Sequence, residues 1–380
     1  YATIGNNEGI GLAKDELDCL YEQAQFQPII GNLKDEEGQP EWAKPYLVHK
    51  TKAGTKIAFL AYTFPYYLTY APNGWQVLEP MARLEEDLAR SEVMDADLVI
   101  VLSHLGVRYD EQISETYPQV NLVIGSHTHH LFEEGKLINE TYLAAADRYG
   151  YFLGCIDLTV ENGQIIACQI EAIPTKDYIL DLDKEDEAFI KAMREEGHRR
   201  LAQEKVANLG RKLNFNETCQ LVLQAVCQET DSQLTLLNTG LIMKTLGPQV
   251  TMADLQEALP HQMRMARLFV TGQELKEICR EVFTKAELLK NQAIKGMGFR
   301  GKVFGELITG NFAYKNGNLL YNSRVVDSNE KFSLVLVDQY YFSSYFPTIK
   351  EKEVTLLFPD LFRELVAKYL RNNGADWDKR

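Results

Sequence analysis

The sequence lacks three features that would each define a class of protein. No stretch approaches the run of about 20 apolar residues that a membrane span needs. The six cysteines show no Cys-x-x-Cys spacing, which argues against a zinc-finger pattern. Positive charge is also scarce, because 40 Lys and Arg face 54 Asp and Glu and leave a formal net charge of −14. An acidic surface repels polyanions, so we expect no nucleic-acid partner.

What is present is typical of a globular protein. The chain has 380 residues, of which 45% are hydrophobic and 25% charged. This length predicts two domains. Cys155 and Cys168 are placed to face each other across a hairpin, but reduced, partly buried thiols are the commoner explanation for scattered cysteines. Reduced thiols favour a reducing compartment, and we expect a cytoplasmic location.

The first part of the chain, residues 1–174, alternates predicted strands with predicted helices. Such alternation implies a parallel sheet. The predicted strands are 56–62, 98–102 and 120–124, and the predicted helices begin at Pro80 and Asp110. The pattern then changes to a hairpin, because strands 156–160 and 164–170 flank Asn162-Gly163, and Asn-Gly is a strong hairpin signal.

Histidines are concentrated in two short motifs. Four of the seven lie in Ser103-His104-Leu105-Gly106 and in the segment Gly125-Ser126-His127-Thr128-His129-His130. Each motif follows directly on an apolar strand rich in Val and Ile, as expected for strands buried on both faces. Because the carboxyl ends of parallel strands meet at one edge of a sheet, the imidazoles are expected to converge there. The pattern predicts a metal site.

A less specific interpretation is available for each histidine taken alone. A single His after a strand is usually a polar residue with satisfied hydrogen bonds, and we assign that role to His49, His198 and His261. His130 is left out of the predicted site, since neighbouring residues of an extended backbone point to opposite faces. A structural metal is a further alternative.

The start of the chain completes an ordered set of motifs. Gly5-Asn6-Asn7-Glu8, then His-Leu-Gly, then Gly-x-His-Thr-His resembles the calcineurin-like metallophosphoesterases, and most closely the two-domain 5′-nucleotidase family. The resemblance implies that Asn6, His104, His127 and His129 are metal ligands. It also implies two divalent ions, Mn, Fe or Zn, which clamp a phosphoryl group and activate a water for attack on it.

The sequence departs from the family pattern in two respects. The family begins with Asp-x-His and Gly-Asp-x-x-Asp motifs, and neither lies upstream of Asn6. We therefore expect the chain to retain only part of the ligand set, to hold metal poorly and to turn over little substrate. In addition, Asn7 stands where the family carries a catalytic histidine. An amide donates hydrogen bonds but cannot transfer a proton near neutral pH, so Asn7 is expected to orient the phosphoryl or leaving oxygen.

The rest of the chain is predicted to form a linker helix within 175–212 and a second domain over 213–380. The order of strands and turns in this second domain resembles that of the substrate domain of 5′-nucleotidases. That resemblance implies that an Asn-x-Gly turn and flanking aromatic or basic side chains bind the substrate. The residues at those positions are Asn238, Gly240, Phe304, Tyr341 and Phe342, and Arg264 or Arg267 is expected to replace the charge of a family Arg that is absent here. Aromatic runs are more often core, and the family's Arg after the turn is replaced by Leu241 to Met243.

The predicted fold is a four-layer α/β/β/α metallophosphoesterase sandwich followed by a smaller α/β domain of the 5′-nucleotidase type. The predicted function is metal-dependent hydrolysis of a phosphate monoester, and the family resemblance implies a nucleotide as the small phosphorylated substrate. The alternatives are a non-catalytic nucleotide-binding relative and a hydrolase of cyclic nucleotides or nucleotide-sugar diphosphates. The sequence leaves the oligomeric state open, and exported members of the family make an extracellular or periplasmic location the alternative to the cytoplasm.

Overall fold

The structure is a computed structural model that describes residues 1–177, 184–294 and 298–374. The chain forms two compact units, Tyr1–Leu182 and Asp183–Arg380. Among the described residues, no helix has both the length and the apolar character needed to cross a membrane.

The first unit is built of short helices and a large sheet. Its elements in chain order are α1 (Asn6–Gly11), α2 (Lys14–Leu20), β1 (Leu33–Lys34), β2 (Tyr46–Lys50), β3 (Lys56–Thr63), α3 (Tyr67–Tyr70), β4 (Gln76–Val77), α4 (Pro80–Leu88), α5 (Ser91–Met94), β5 (Leu98–His104), α6 (Val107–Thr116), β6 (Leu122–Gly125), β7 (Lys136–Ile138), β8 (Thr141–Ala144), β9 (Phe152–Glu161) and β10 (Gln164–Pro174).

Six of these strands form one sheet in the order β2-β3-β5-β6-β8-β7. The four central strands, β3, β5, β6 and β8, run parallel, and β2 and β7 are antiparallel edges. The first four residues of β5 are all buried, as the run of Leu, Val and Ile predicts for a strand covered on both faces. The predicted parallel sheet is therefore confirmed.

Each face of this sheet is covered by a different layer. Helices α4, α5 and α6 bring Leu84, Val93 and Ile113 into a core on one face. On the other face, the β9–β10 hairpin places Ile170 against Ile100, in a smaller cluster. The helix, sheet and hairpin layers agree with the predicted sandwich.

The hairpin has the turn that its sequence predicts. Asn162 and Gly163 both have positive φ, 48° and 77°, which the right-handed twist of a two-residue hairpin turn requires. Cys155 is opposite Glu171 in the register rather than opposite Cys168. All six cysteines are free thiols in the structure.

The second unit has its own core. Its elements are α7 (Lys184–Gln203), β11 (Lys205–Asn208), α8 (Phe215–Glu229), β12 (Leu234–Asn238), β13 (Gln249–Thr251), α9 (Met252–Ala258), β14 (Met265–Thr271), α10 (Gly272–Leu289), β15 (Leu307–Gly310), β16 (Phe312–Lys315), β17 (Asn318–Tyr321), β18 (Arg324–Val325), β19 (Lys331–Val337), α11 (Asp338–Phe342), α12 (Pro347–Lys350), β20 (Val354–Leu357) and α13 (Phe362–Asn373).

Five strands of this unit form a mixed sheet in the order β15-β12-β19-β14-β20. Strand β19 is buried at six of its seven positions, and its apolar side chains pack with those of α8, α10 and α13 in one continuous core. Helix α10 begins at a capping box, because the Thr271 N–H donates to Glu274 Oε2 at 2.8 Å.

Two segments differ from the sequence-based expectation. The predicted linker helix ends at Gln203, and Lys205–Asn208 instead forms a strand that pairs with Gln249–Thr251, so this segment belongs to the second unit. At the start of the chain, Asn6–Gly11 forms a short helix, which the motif alone does not predict. The strand comes from pairing with a distant segment, which a local pattern does not contain.

Candidate metal centre

The predicted ligands lie at the ends of three elements. Strand β5 ends at His104, and its parallel neighbour β6 ends at Gly125, which is opposite Ser103 in the register. The loop after β6 therefore starts beside His104 and carries His127. Asn6 is the first residue of α1, whose N-terminus is fixed because the Gly5 N–H donates to Glu8 Oε2 at 2.8 Å. The strand ends and the helix start bring the three side chains together.

Three side-chain atoms converge at this point. Asn6 Oδ1 lies 2.9 Å from His104 Nε2 and 3.0 Å from His127 Nδ1. The two imidazole rings have centroids 5.1 Å apart at an interplanar angle of 65°. An amide oxygen and two imidazole nitrogens are donors that zinc, manganese and iron accept in proteins.

The loop that carries the histidines has an unusual backbone. His127 and His129 have φ of 68° and 54°, in the left-handed region that residues other than glycine seldom adopt. Such conformations typically cost about 1–3 kcal/mol each and are concentrated at functional sites, where the surrounding structure holds them. The loop geometry is therefore consistent with a site that must aim particular side chains.

The protonation of the two half-buried histidines suits metal binding. Burial, and after it positive charge on His127 and His129, lowers the pKa of His104 to about 4. The pKa of His127 is lowered as well, first by burial and then by His129. Because a metal binds the neutral imidazole, these shifts favour ligation at pH values where a free histidine would be partly protonated.

Three residues that sequence reasoning missed contact the candidate ligands. The Phe64 ring stacks on the His127 imidazole with centroids 4.8 Å apart, and the Phe64 N–H donates to the His104 carbonyl at 2.9 Å. Ser126 Oγ lies 2.9 Å from His104 Nδ1. Gly5 leaves room for the His104 ring. In the sequence, the Gly-x-His spacing indicates the histidines, but it does not indicate which residues contact their rings.

A buried carboxylate lies behind the strand ends. Asp110 is 3% exposed and accepts a hydrogen bond from the Ser103 hydroxyl, and Gly125 packs against its other oxygen. Burial raises the pKa of Asp110 to about 7, although the Ser103 hydrogen bond opposes the rise. Asp110 thus contacts residues at the ends of both β5 and β6.

The remaining residues of the motifs are more accessible. His129 is exposed, with its ring 6.4 Å from that of Tyr149, and its charge lowers the pKa values of His104 and His127. Asn7 is exposed in the first turn of α1, next to Asn6. His130, which we left out of the site, contacts the Thr128 hydroxyl at 2.9 Å.

The three converging side chains offer part of the ligand set that a divalent cation needs. Asn6, His104 and His127 present three uncharged donors, with both imidazole nitrogens within hydrogen-bond distance of Asn6 Oδ1. Among residues 1–177, 184–294 and 298–374, however, no group of three or more His, Cys, Asp or Glu side chains is arranged to hold a metal ion. The described residues therefore provide a partial ligand set of two imidazoles and one amide, without a carboxylate.

Gly5 provides a direct test of the packing around His104. A Cβ at this position would lie 2.7 Å from His104 Cε1 and 2.9 Å from Nε2, closer than such contacts allow. Gly5→Ala should therefore displace the ring and weaken Zn²⁺ binding by about 10-fold or more, the range for changes beside a metal ligand. Calorimetric titration with Zn²⁺ measures the effect. Gly11→Ala, in open space on the same helix, is the control, and equal affinities for the two variants would contradict the prediction.

In the second unit, the predicted substrate turn is occupied by structural contacts. Asn238 is 1% exposed, its amide nitrogen donates to the Phe304 carbonyl, and its Oδ1 accepts from the Tyr340 hydroxyl at 2.7 Å. At Gly240, a Cβ would collide with the Val303 and Phe304 carbonyls. The Asn-x-Gly turn therefore joins the end of β12 to the segment before β15 and to α11 in this structure.

The predicted aromatic and basic residues differ in accessibility. Phe304 is fully buried and stacks on Tyr340 at 6.0 Å, so neither face of its ring is open to a ligand in this structure. Tyr341 and Phe342 are partly buried on α11 and meet edge to face at 5.4 Å. The Arg264 guanidinium lies 4.3 Å from the Phe358 ring centre. Roles in substrate binding stay predictions for all of these residues.

Known proteins resemble the chain over nearly its whole length. The Bacillus subtilis protein described as the uncharacterized metallophosphoesterase YunD is 32% identical over 386 residues, which is 96% of this chain and 82% of that protein. No family model matches the chain. The structure of a 5′-nucleotidase precursor from Thermus thermophilus has a TM-score of 0.55 at 16% identity, covering 97% of this chain and 80% of that one. The Haemophilus influenzae NAD nucleotidase has a TM-score of 0.61 at 14% identity, covering 98% and 81%.

These similarities define the class of protein. The chain belongs to the metallophosphoesterase family, and it has the two-domain fold of the 5′-nucleotidases, as the order of its motifs predicts. Membership implies a hydrolase of phosphate esters that uses divalent metal ions. The identity to the solved nucleotidases is low enough that they establish the fold alone.

Proposed function

We propose that this protein hydrolyses phosphate monoesters, with a nucleotide or a related phosphorylated metabolite as substrate. The observation that carries the proposal is that His104 Nε2 and His127 Nδ1, at the ends of β5 and β6, both lie within 3.0 Å of Asn6 Oδ1 at the start of α1. In a family of metal-dependent phosphoesterases, such a cluster is the natural place for chemistry on a phosphoryl group.

Each of the three ligands has a defined part in this proposal. Neutral His104 and His127 offer unprotonated nitrogens, and Asn6 offers its amide oxygen. Together with His129 they would hold one or both of two divalent ions, Mn, Fe or Zn. When bound, such ions supply Lewis-acid charge and activate a water for in-line attack on phosphorus. The described residues supply only part of this ligand set, so weak metal binding and low turnover are expected of these residues alone.

Asn7 is proposed to orient the phosphoryl or leaving oxygen. Its amide donates a hydrogen bond but has no proton to transfer near pH 7. The protein should therefore prefer esters with good leaving groups, such as p-nitrophenyl phosphate, over nucleoside monophosphates, whose alkoxide leaving group needs an acid.

Introducing an acid at position 7 should change this preference. Asn7→His is expected to raise kcat for a nucleoside monophosphate by about 10²-fold, the lower end of the range for a positioned general acid, and to leave p-nitrophenyl phosphate hydrolysis nearly unchanged. Steady-state kinetics on both substrates measure the split. Asn7→Gln, which keeps an amide, is the control. A similar change on both substrates would contradict the proposed role.

Two observations support a nucleotide as the substrate. Tyr341 and Phe342 are the partly exposed aromatic pair of α11, and stacking of a base on such a ring is worth about 1–3 kcal/mol. The two structural neighbours are named as nucleotidases, which points to the same substrate class. Cyclic nucleotides and nucleotide-sugar diphosphates are the alternative substrates within this fold.

A substrate panel tests the proposal. The metal-depleted protein is reloaded with Mn²⁺ or Zn²⁺ and assayed for phosphate release from nucleoside monophosphates, sugar phosphates, cyclic nucleotides and nucleotide-sugar diphosphates. Metal-dependent release from monoesters, with nucleotides preferred, is the expected result. Tight nucleotide binding without turnover in any metal would favour the non-catalytic relative, and turnover of diesters alone would reassign the substrate class.

A further inference from the structure

Ser126 occupies a position between the two strand ends of the metal centre. It is the first residue after β6, and its hydroxyl donates to the Ser103 carbonyl of β5 at 2.9 Å. The same oxygen lies 2.9 Å from His104 Nδ1. Ser126 is exposed, so no core contact accounts for these two bonds.

The hydrogen-bond directions follow from chemistry. A carbonyl oxygen only accepts, so the single hydroxyl proton of Ser126 is directed to Ser103. Ser126 Oγ must then accept from His104, which requires the proton of the imidazole to be on Nδ1. A histidine that binds a metal is neutral and has one N–H. The Nε2 of His104 is consequently unprotonated.

On the other side of the His104 ring, the unprotonated Nε2 faces a second hydrogen-bond acceptor. The lone pair of His104 Nε2 faces Asn6 Oδ1 at 2.9 Å, and Asn6 Oδ1 carries no proton either. Two acceptors at that separation have no hydrogen to share. A cation between them satisfies both, which is the arrangement a metal ligand pair requires.

We propose that Ser126 is a positioning residue, which holds His104 as the Nδ1–H tautomer so that Nε2 is directed at the metal. This inference rests on the proposed metal site, but it adds a residue that is not itself a ligand. The hydrogen bond to the Ser103 carbonyl holds the Ser126 hydroxyl in place, and that hydroxyl in turn orients the His104 ring. Partners of this kind typically change metal affinity by about 10–100-fold when removed.

The first test measures the tautomer in the metal-free protein. Nitrogen-15 NMR of histidine-labelled protein at pH 7, assigned with a His104→Ala variant, should show a protonated Nδ1 and an unprotonated Nε2 for His104. In Ser126→Ala, both tautomers should be populated, while Ser126→Thr should restore the wild-type pattern. A proton on Nε2 in the wild type would overturn the inference without bearing on metal binding elsewhere.

The second test measures metal affinity. Calorimetric titration with Zn²⁺ should show a loss of about 10-fold or more in Ser126→Ala and recovery in Ser126→Thr. Thr128→Val is the matched control, because it removes a hydroxyl from the same loop that bonds the Val107 N–H and not a predicted ligand. Equal affinity of Ser126→Ala and wild type, or an equal loss in Thr128→Val, overturns the inference. Absence of Zn²⁺ binding by the wild type contradicts the proposed metal site, and the tautomer then decides the role of Ser126.

Discussion

Replacing His104 with alanine is expected to lower metal-dependent phosphatase activity by more than about 100-fold, beyond the effect of removing a residue that only supports a ligand. The reason is geometric, because His104 Nε2 is one of the two imidazole nitrogens that face Asn6 Oδ1. With the imidazole removed, only Asn6 and His127 remain of the three converging side chains, and that pair holds a divalent ion weakly. Phosphate release from p-nitrophenyl phosphate at saturating Mn²⁺ measures the loss.

His130→Ala is the matched control for this experiment. His130 belongs to the same histidine run, but it is exposed and contacts Thr128 rather than a predicted ligand. It should retain activity within about twofold, as surface substitutions away from a site usually do. Equal activity of His104→Ala and wild type, with unchanged metal content, would contradict the assignment of His104 as a ligand.

The second large effect is expected on stability, from the buried ion pairs of Asp87 in the first unit. Asp87 has no solvent exposure, and its carboxylate pairs with Arg83 at 3.0 Å and with Arg90 at 2.8 Å and accepts from the Tyr62 hydroxyl at 3.1 Å. Asp87→Ala leaves the Arg83 guanidinium buried without this partner. Breaking such a pair should lower the free energy of unfolding by about 3–5 kcal/mol.

Urea denaturation followed by tryptophan fluorescence measures this change, since Trp42 and Trp75 both lie in the first unit. Glu86→Ala is the control, because Glu86 bonds the same Arg83 from the exposed side of α4 with 67% of its side chain in solvent. That variant should lose no more than about 1 kcal/mol. If the two variants are equally stable, the buried network does not contribute as described.

Much of the fold was predictable because its signals are local. Val and Ile runs mark β5 and β6, Asn162-Gly163 marks the hairpin, and Thr271 with Glu274 marks the start of α10. Strand β11 was not predictable in the same way. Its partner, Gln249–Thr251, is distant in the sequence, and a short polar segment after a helix has no local pattern that requires a strand.

For the candidate site, the sequence predicted the candidate ligands but not the residues that support them. The spacing of the motifs points to Asn6, His104 and His127, and the structure brings these three side chains together. Ser126 and Phe64 support the rings through tertiary contacts, and nothing in their sequence neighbourhood predicts that. The substrate residues show the opposite case, because Phe304 matches a family position and yet is fully buried.

The central claim is that Asn6, His104 and His127 bind a divalent metal ion. Its most direct test is an anomalous difference map from crystals of the protein soaked in Zn²⁺. The account predicts a peak about 2.0–2.2 Å from Asn6 Oδ1, His104 Nε2 and His127 Nδ1, the distances typical of zinc with oxygen and nitrogen ligands. A map with no peak between these atoms, at Zn²⁺ concentrations that fill other sites, would contradict it.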